Sequence, residues 1–326
     1  MRLALGLSLL VVALFLLSLV TGFAAVPPGQ GLRALLVDDG TPVAVVMREI
    51  RLPRALLAAM IGAALGLSGA AMQGYLRNPL AEPGLIGVSG AAALGAVLAI
   101  QTGLSLLFPL ALPLAALGMS VLAVLLILVL AGPRGSSITL ILAGIAISAL
   151  TGALTSLVLN LSPNPFAAAD IVFWMMGSLA DRSLTHVALA APFMAIGALL
   201  LAGLGRGLDA LTLGEDAAQA MGVNLTAVRL RLILGTAAAV GAATAVAGAI
   251  GFVGLVVPHL LRRAVGGRPS ALLWASGLGG AAMVLAADIA VRLLLPDRDL
   301  KLGVLMALVG APLFLHLIFR TRREMA

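Results

Sequence analysis

The sequence contains no cysteine, a single lysine, Lys301, and three widely separated histidines, His186, His259 and His316. Without cysteine, neither a disulfide nor a thiolate metal site can form, and the histidines lack the spacing of metal ligands. Aromatic residues make up only 4% of the chain, whereas a transmembrane barrel carries aromatic girdles and short alternating segments. We therefore expect no barrel, no resident metal and no cofactor bound by this chain.

Charged residues are also scarce, at 10%, while 62% of the 326 residues are hydrophobic. So much apolar surface cannot be kept from water in one soluble domain. The 38 glycines indicate closely packed helices with small residues at their contacts. The sequence predicts an all-α polytopic membrane protein with one transmembrane domain, residues 1–326. The net charge of +7 would suggest nucleic acid in a soluble protein, but here membrane orientation explains it and no nucleic-acid partner is expected.

Apolar runs long enough to cross a membrane predict about ten helices. The first, 3–26, exceeds the roughly 7–15-residue core of a signal peptide, so we expect it to stay attached. The other predicted spans are 52–73, 85–102, 106–131, 138–161, 185–204, 228–248, 250–261, 272–295 and 304–319. Segment 250–261 is short and rich in glycine and proline, so a half-helix or re-entrant turn is the alternative there. The excess of arginines on one side predicts that both termini are cytoplasmic.

Residues 208–224, LDALTLGEDAAQAMGVN, resemble a short soluble helix between two predicted spans. Thr212 and Glu215 have capping-box spacing and Gly222 suits a left-handed C-cap, which predicts a helix of two to three turns. Its apolar face is too small to be stable alone in water. That face consists of Leu213, Ala217, Ala220 and Met221. We interpret the segment as a docking surface for a cytoplasmic protein, and a capped loop lying on its own protein is the alternative.

Several longer motifs carry more information than helix packing requires. They are Arg51-Leu-Pro-Arg54, Arg77-Asn-Pro-Leu-Ala-Glu-Pro-Gly84, Leu142-Ala-Gly-Ile-Ala, Trp174-Met-Met-Gly-Ser, Leu213-Gly-Glu, Gly251-Phe-Val-Gly-Leu-Val-Val-Pro-His259 and Gly310-Ala-Pro312. In this order, over about residues 47–319, the chain resembles the FecCD-type permeases of bacterial ABC importers for ferric siderophores, heme and cobalamin. The resemblance implies a type II ABC importer permease fold in the cytoplasmic membrane. It also implies a homodimer that binds two copies of a cytoplasmic ABC ATPase, which use Mg-ATP, and one periplasmic substrate-binding protein.

The resemblance also implies roles for particular residues. The coupling helix within 208–224 contacts the ATPase through Leu213, Gly214, Glu215, Asp216, Ala217, Met221 and Gly222. The cytoplasmic gate includes Asn78, Pro79, Leu80, Ser136 and Ser137. The binding protein docks on Arg51, Arg54 and Arg292. Ordinary alternatives exist, because an Asn-Pro turn also ends helices and arginine also anchors at membrane interfaces. Asp288 lies four residues before Arg292, and we expect the two to pair.

Other classes of function fit less well. No G-x-x-x-x-G-K-[ST] motif is present, so ATP must be used by a partner. An ion-coupled secondary transporter needs an ionisable relay near mid-membrane, and the sequence offers only Asp288, which Arg292 neutralises. An intramembrane enzyme needs a nucleophile with its base, or a metal cluster, and neither pattern occurs. The leading hypothesis is the permease of an ATP-driven importer for heme or a ferric siderophore, with cobalamin as the alternative.

Overall fold

The computed structural model describes residues 2–22, 24, 26–37, 39–108, 110–132, 137–294 and 300–325. In chain order the first eight helices are α1 (Arg2–Val20), α2 (Pro28–Leu36), α3 (Pro42–Val45), α4 (Leu52–Leu76), α5 (Val88–Gln101), α6 (Leu104–Leu107), α7 (Ala111–Ala131) and α8 (Ser137–Asn160). The next eight are α9 (Pro165–Met175), α10 (Leu184–Ala202), α11 (Gly205–Leu211), α12 (Glu215–Ala220), α13 (Leu225–Ala247), α14 (Val253–Arg262), α15 (Pro269–Leu294) and α16 (Leu302–Met325). Short turns of tighter or wider helix are Val46–Arg51, Pro83–Ile86 and Arg263–Val265.

The helices confirm the predicted all-α membrane fold. Those long and apolar enough to cross a membrane, among the described residues, are α1, α4, α7, α8, α10, α13 and α15. The other three predicted spans correspond to α5, α14 and α16. The sequence did not predict α9, an eleven-residue helix between α8 and α10.

Helix α14 is the half-helix that was the alternative interpretation of segment 250–261. Its ten residues extend only about 15 Å, half the thickness of a bilayer core. The preceding Phe252 has a left-handed φ of 67°, and α14 begins directly after it. The chain therefore does not run as one helix from α13 into α14: Gly248 follows α13 with a φ of 74°, and α14 begins after Phe252.

The centre of the fold is α4, which packs against α10, α13, α14 and α15. Glycines allow these helices to touch backbone to backbone. A Cβ at Gly66 would lie 2.0 Å from the carbonyl oxygen of Ser276 in α15, and one at Gly69 would lie 1.9 Å from that of Gly254 in α14. No side chain fits at such distances, so the glycine-rich sequence of α4 sets how closely α14 and α15 approach it.

Candidate functional site

The segment predicted as a coupling helix forms two short helices, α11 and α12, joined by a turn at 212–214. The capping-box prediction is wrong: the Thr212 hydroxyl donates to the Asp209 carbonyl oxygen at 2.7 Å and does not cap α12. Gly214 precedes α12 instead, with a φ of 106° that suits glycine. This turn divides the segment, so α12 has six residues rather than two to three full turns.

The C-terminal end of α12 is as predicted. Gly222 has a φ of 81°, and its N–H donates to the Gln219 carbonyl oxygen at 2.8 Å. The next N–H, of Val223, donates to the Ala218 carbonyl oxygen at 3.0 Å. These two bonds satisfy carbonyls at the end of the helix and turn the chain into α13.

The two large apolar side chains that flank α12 are exposed to solvent. Ala218 is fully buried, at 0% exposure, whereas Leu213 is 69% and Met221 54% exposed. Glu215 and Asp216 are also exposed, in the first turn of α12. A large exposed apolar side chain on each flank of a short helix favours a docking surface over a loop that lies on its own protein. We call Leu213 and Met221 the apolar knob.

Asp209 joins α11, which precedes the apolar knob in the chain, to the start of the spanning helix α15. Its Oδ1 accepts the Ser270 N–H at 2.8 Å, and its Oδ2 accepts the Ser270 hydroxyl at 2.7 Å and the Arg268 Nε–H at 3.0 Å. Ser270 lies in the first turn of α15, so the carboxylate caps that helix from α11. Partial burial raises the pKa of Asp209, but the bonds from Ser270 and the charge of Arg268 outweigh it and hold the pKa below the ordinary Asp value.

We expect Asp209→Ala to lower the stability of the detergent-solubilised protein by about 1 kcal/mol, the usual cost of losing a helix cap. Because the pKa in the folded state lies below the unfolded value, this contribution is complete above the ordinary Asp pKa and disappears as the pH falls through the lowered pKa. Thermal unfolding of both proteins from neutral to acidic pH measures it. A difference between them that is independent of pH would contradict the assignment.

The predicted gate begins where α4 ends. Arg77 has a left-handed φ of 50°, and the Asn78 side-chain oxygen accepts the Leu80 N–H at 2.9 Å. The Asn-Pro turn is therefore present, and it leaves Leu80 42% exposed. Ser136 lies outside the described residues, and Ser137 begins α8.

The chain then folds back into the protein after Leu80. Ala81 and Pro83 are buried, and the Glu82 carboxylate accepts the Phe252 N–H at 3.2 Å, next to the start of α14. We call residues 78–86 the gate segment. The end of α4, from which the gate segment continues, lies beside α11, because a Cβ at Gly74 would be 3.3 Å from the Leu208 side chain.

The second predicted gate loop follows α7 and has a neighbour that the sequence did not reveal. Arg229, in the first turns of α13, is only 7% exposed, and its Nη2 donates to the Gly132 carbonyl oxygen at 3.0 Å. Gly132 ends α7 with a positive φ of 64°. This arginine therefore fixes the end of α7 to α13, next to the loop that contains Ser136.

At the opposite end of α4, Asp288 forms a buried cluster with two arginines. Its Oδ2 lies 2.8 Å from the Arg292 Nη2, which confirms the predicted pair, and its Oδ1 accepts the Arg54 Nε–H at 2.9 Å. Asp288 has 0% exposure. Arg54 is 234 residues away in sequence, so spacing along one helix gave no signal for it.

The guanidinium groups of Arg51 and Arg292 bind the end of α1. Arg51 donates to the carbonyl oxygens of Leu19, Val20 and Ala24, and Arg292 donates to those of Ser18 and Thr21. Ser18, Leu19 and Val20 are in the last turn of α1, where carbonyls have no partner within the helix, and the two arginines supply donors to them. Arg51 is 4% and Arg292 7% exposed, and the Arg54 side chain is 15% exposed. Docking of a binding protein on these arginines stays a prediction, and Arg54 is the most accessible of them.

Together, a bundle of apolar helices long enough to span a membrane, the half-helix α14 and an exposed apolar knob are typical of a membrane transport subunit, a permease. The sequence carries no nucleotide-binding loop of its own. The chain belongs to the FecCD transport family, whose family model matches residues 9–320. This confirms the resemblance on which the sequence interpretation depended.

Individual relatives cover most of the chain. It is 40% identical over 286 residues to the hemin transport system permease protein of Yersinia pestis, covering 85% of this chain and 84% of the relative. It is 41% identical over 275 residues to the vitamin B12 import system permease protein of Vibrio cholerae, covering 83% and 82%. A solved structure of a metal-chelate type ABC transporter, in an inward-facing conformation, matches with a TM-score of 0.86 and 34% identity over 98% of this chain and 99% of the other.

Proposed function

We propose that this chain is the membrane permease of an ATP-driven importer that carries heme or a ferric siderophore across the bacterial cytoplasmic membrane. Cobalamin is the alternative, since relatives are named for hemin and for vitamin B12. A chelated metal brings its own ligands, which agrees with a chain without cysteine. The observation that carries the proposal is the apolar knob, two exposed side chains that flank α12, next to α11, which Asp209 joins to the spanning helix α15.

The proposed assembly is a homodimer of this chain with two ABC ATPases, which use Mg-ATP, and one periplasmic binding protein. The arginine excess favours cytoplasmic termini, and the apolar knob and gate segment then face the cytoplasm. There an ATPase meets Leu213 and Met221, with Glu215 and Asp216 beside them. Arg54 and its neighbours lie at the other end of α4, on the periplasmic side, where the binding protein delivers its ligand.

Uptake into proteoliposomes tests the function. We expect vesicles containing the permease, its ATPase and its binding protein to accumulate the chelate with ATP and without a proton gradient. Uptake that requires a proton gradient and does not depend on ATP would favour an ion-coupled transporter. Absorbance and mass spectrometry of the ligand held by the binding protein then distinguish heme, siderophore and cobalamin.

The role of Leu80 in the gate segment can be tested separately. Leu80→Gly removes an exposed apolar side chain but keeps Pro79 and the Asn78 oxygen that accepts the N–H of residue 80. We expect loaded vesicles to lose trapped chelate several-fold faster, because the constriction is wider, while the complex still assembles. Normal retention in an assembled complex would assign the turn a structural role alone.

A further inference from the structure

Helix α14 contains a proline that breaks its own hydrogen bonding. Pro258 has no N–H, so the carbonyl oxygen four residues earlier, at Gly254, has no partner within the helix. A buried carbonyl without a donor is costly inside a membrane protein. The structure supplies the donor from another helix: the Gln73 Nε2 of α4 lies 3.4 Å from the Gly254 oxygen and 3.2 Å from the Leu255 oxygen.

The other end of the same amide binds the end of α14. The Gln73 Oε1 accepts from the Arg262 Nη2 at 2.7 Å, and Gln73 itself is 1% exposed. Carbonyls only accept and a guanidinium only donates, so these partners fix the orientation of the amide. A single side chain therefore binds α14 on both sides of its proline.

The start of α14 is attached to the gate segment. Glu82 accepts the Phe252 N–H there, and a Cβ at Gly254 would lie 2.7 Å from the Pro83 ring and 2.9 Å from the Leu65 carbonyl oxygen of α4. The half-helix is thus enclosed between α4 and the gate segment. Glu82 and Pro83 are therefore the contacts through which the first turn of α14 and the gate segment are joined.

We propose that Gln73 is a positioning residue for transport, which replaces the hydrogen bond that Pro258 removes and so fixes the half-helix α14 beside the gate segment. This proposal rests on the proposed function, because the gate segment can act as a gate only if the chain is a permease. Without Gln73, α14 bends at Pro258 and the gate segment no longer keeps its position. ATP hydrolysis then continues with less transport per ATP.

The test combines Gln73→Leu with Pro258→Ala, since an alanine at this position has an N–H that can donate to the Gly254 oxygen. In the reconstituted complex we expect Gln73→Leu to lower transport per ATP hydrolysed about tenfold, as for a buried carbonyl left without its hydrogen-bond donor. Amide hydrogen exchange in 253–262 should rise in parallel. The double variant should restore slow exchange and most of the transport per ATP.

The control is Ser68→Ala, on the same helix α4 as Gln73. The buried Ser68 hydroxyl has no hydrogen-bond partner among the described residues, so this variant should match wild type.

Wild-type exchange in Gln73→Leu, or a double variant no better than the single one, overturns the proposal. Exchange is measured on the permease itself, so it reports on Gln73 even if the wild-type complex fails to transport with ATP, which would refute the proposed function instead. If Gln73→Leu does not fold, Gln73→Glu replaces it. That variant keeps a partner for Arg262 but has no donor for the carbonyls, so the same exchange increase and the same rescue by Pro258→Ala are expected.

Discussion

A permease carrying Met221→Asp is expected to lose its ATPase subunit during co-purification. Met221 is 54% exposed and forms the apolar knob with Leu213. If the knob is buried against the ATPase, the aspartate places an unpaired charge in an interface that excludes water. Loss of such a central contact costs about 2 kcal/mol or more, roughly a thirtyfold loss of affinity.

Two control variants separate docking from folding. Met221→Leu keeps an apolar side chain of similar volume and should retain the ATPase. Thr226→Asp introduces the same charge at an exposed position in the first turn of α13, where a helix N-terminus favours a carboxylate, and should assemble normally. Co-purification measures the bound ATPase, and an ATPase assay measures activation by the binding protein. Stoichiometric ATPase in Met221→Asp would show that α12 is not the docking element.

The sequence predicted the spanning helices well because each is a long apolar run. It also indicated the half-helix α14 through the glycines and proline around residues 250–261. It failed at the start of α12, where the Thr212 and Glu215 spacing favoured a capping box. There the left-handed Gly214 set a different turn, and Thr212 bonded back to Asp209 instead. A local pattern cannot show whether a hydroxyl will accept the N–H of the following turn, as in a capping box, or donate to a carbonyl oxygen of the preceding turn.

The site residues that the sequence missed depend on contacts between distant segments. Arg229 binds Gly132 across 97 residues, and Gln73 binds Gly254 across 181. The contact of Gln73 with Gly254 could have been suggested by the sequence. A proline inside an apolar helix leaves a carbonyl without a hydrogen-bond donor, and a glutamine in another apolar helix can supply one. The pairing of a particular glutamine with a particular carbonyl depends on how α4 and α14 pack together. The glycines in these helices allow a close approach, but their positions in the sequence do not show which residues will meet.

Asp288→Asn is expected to prevent most of the permease from reaching a folded state in the membrane. The carboxylate, with 0% exposure, lies between the guanidiniums of Arg54 and Arg292. The asparagine keeps the size of the side chain but removes the only carboxylate that the described part of the chain shows in contact with these two cations. Removing one partner of a buried ion pair costs about 3–5 kcal/mol, a large part of the roughly 5–15 kcal/mol that holds a protein domain folded.

The consequence extends to α1, because Arg292 also donates to Ser18 and Thr21 near the end of that helix. We expect Asp288→Asn to expose the segment after α1 to protease in membrane vesicles, and to lower the yield of folded protein by fluorescence-detected size exclusion. Asp170→Asn, at an exposed acid of α9, is the matched control and should behave as wild type. The double variant Asp288→Asn with Arg54→Gln returns the cluster to its original net charge and should recover part of the yield. Normal folding of Asp288→Asn would mean that the two arginines are satisfied by the α1 carbonyls and solvent alone, and that the carboxylate is not required to hold α1, α4 and α15 together.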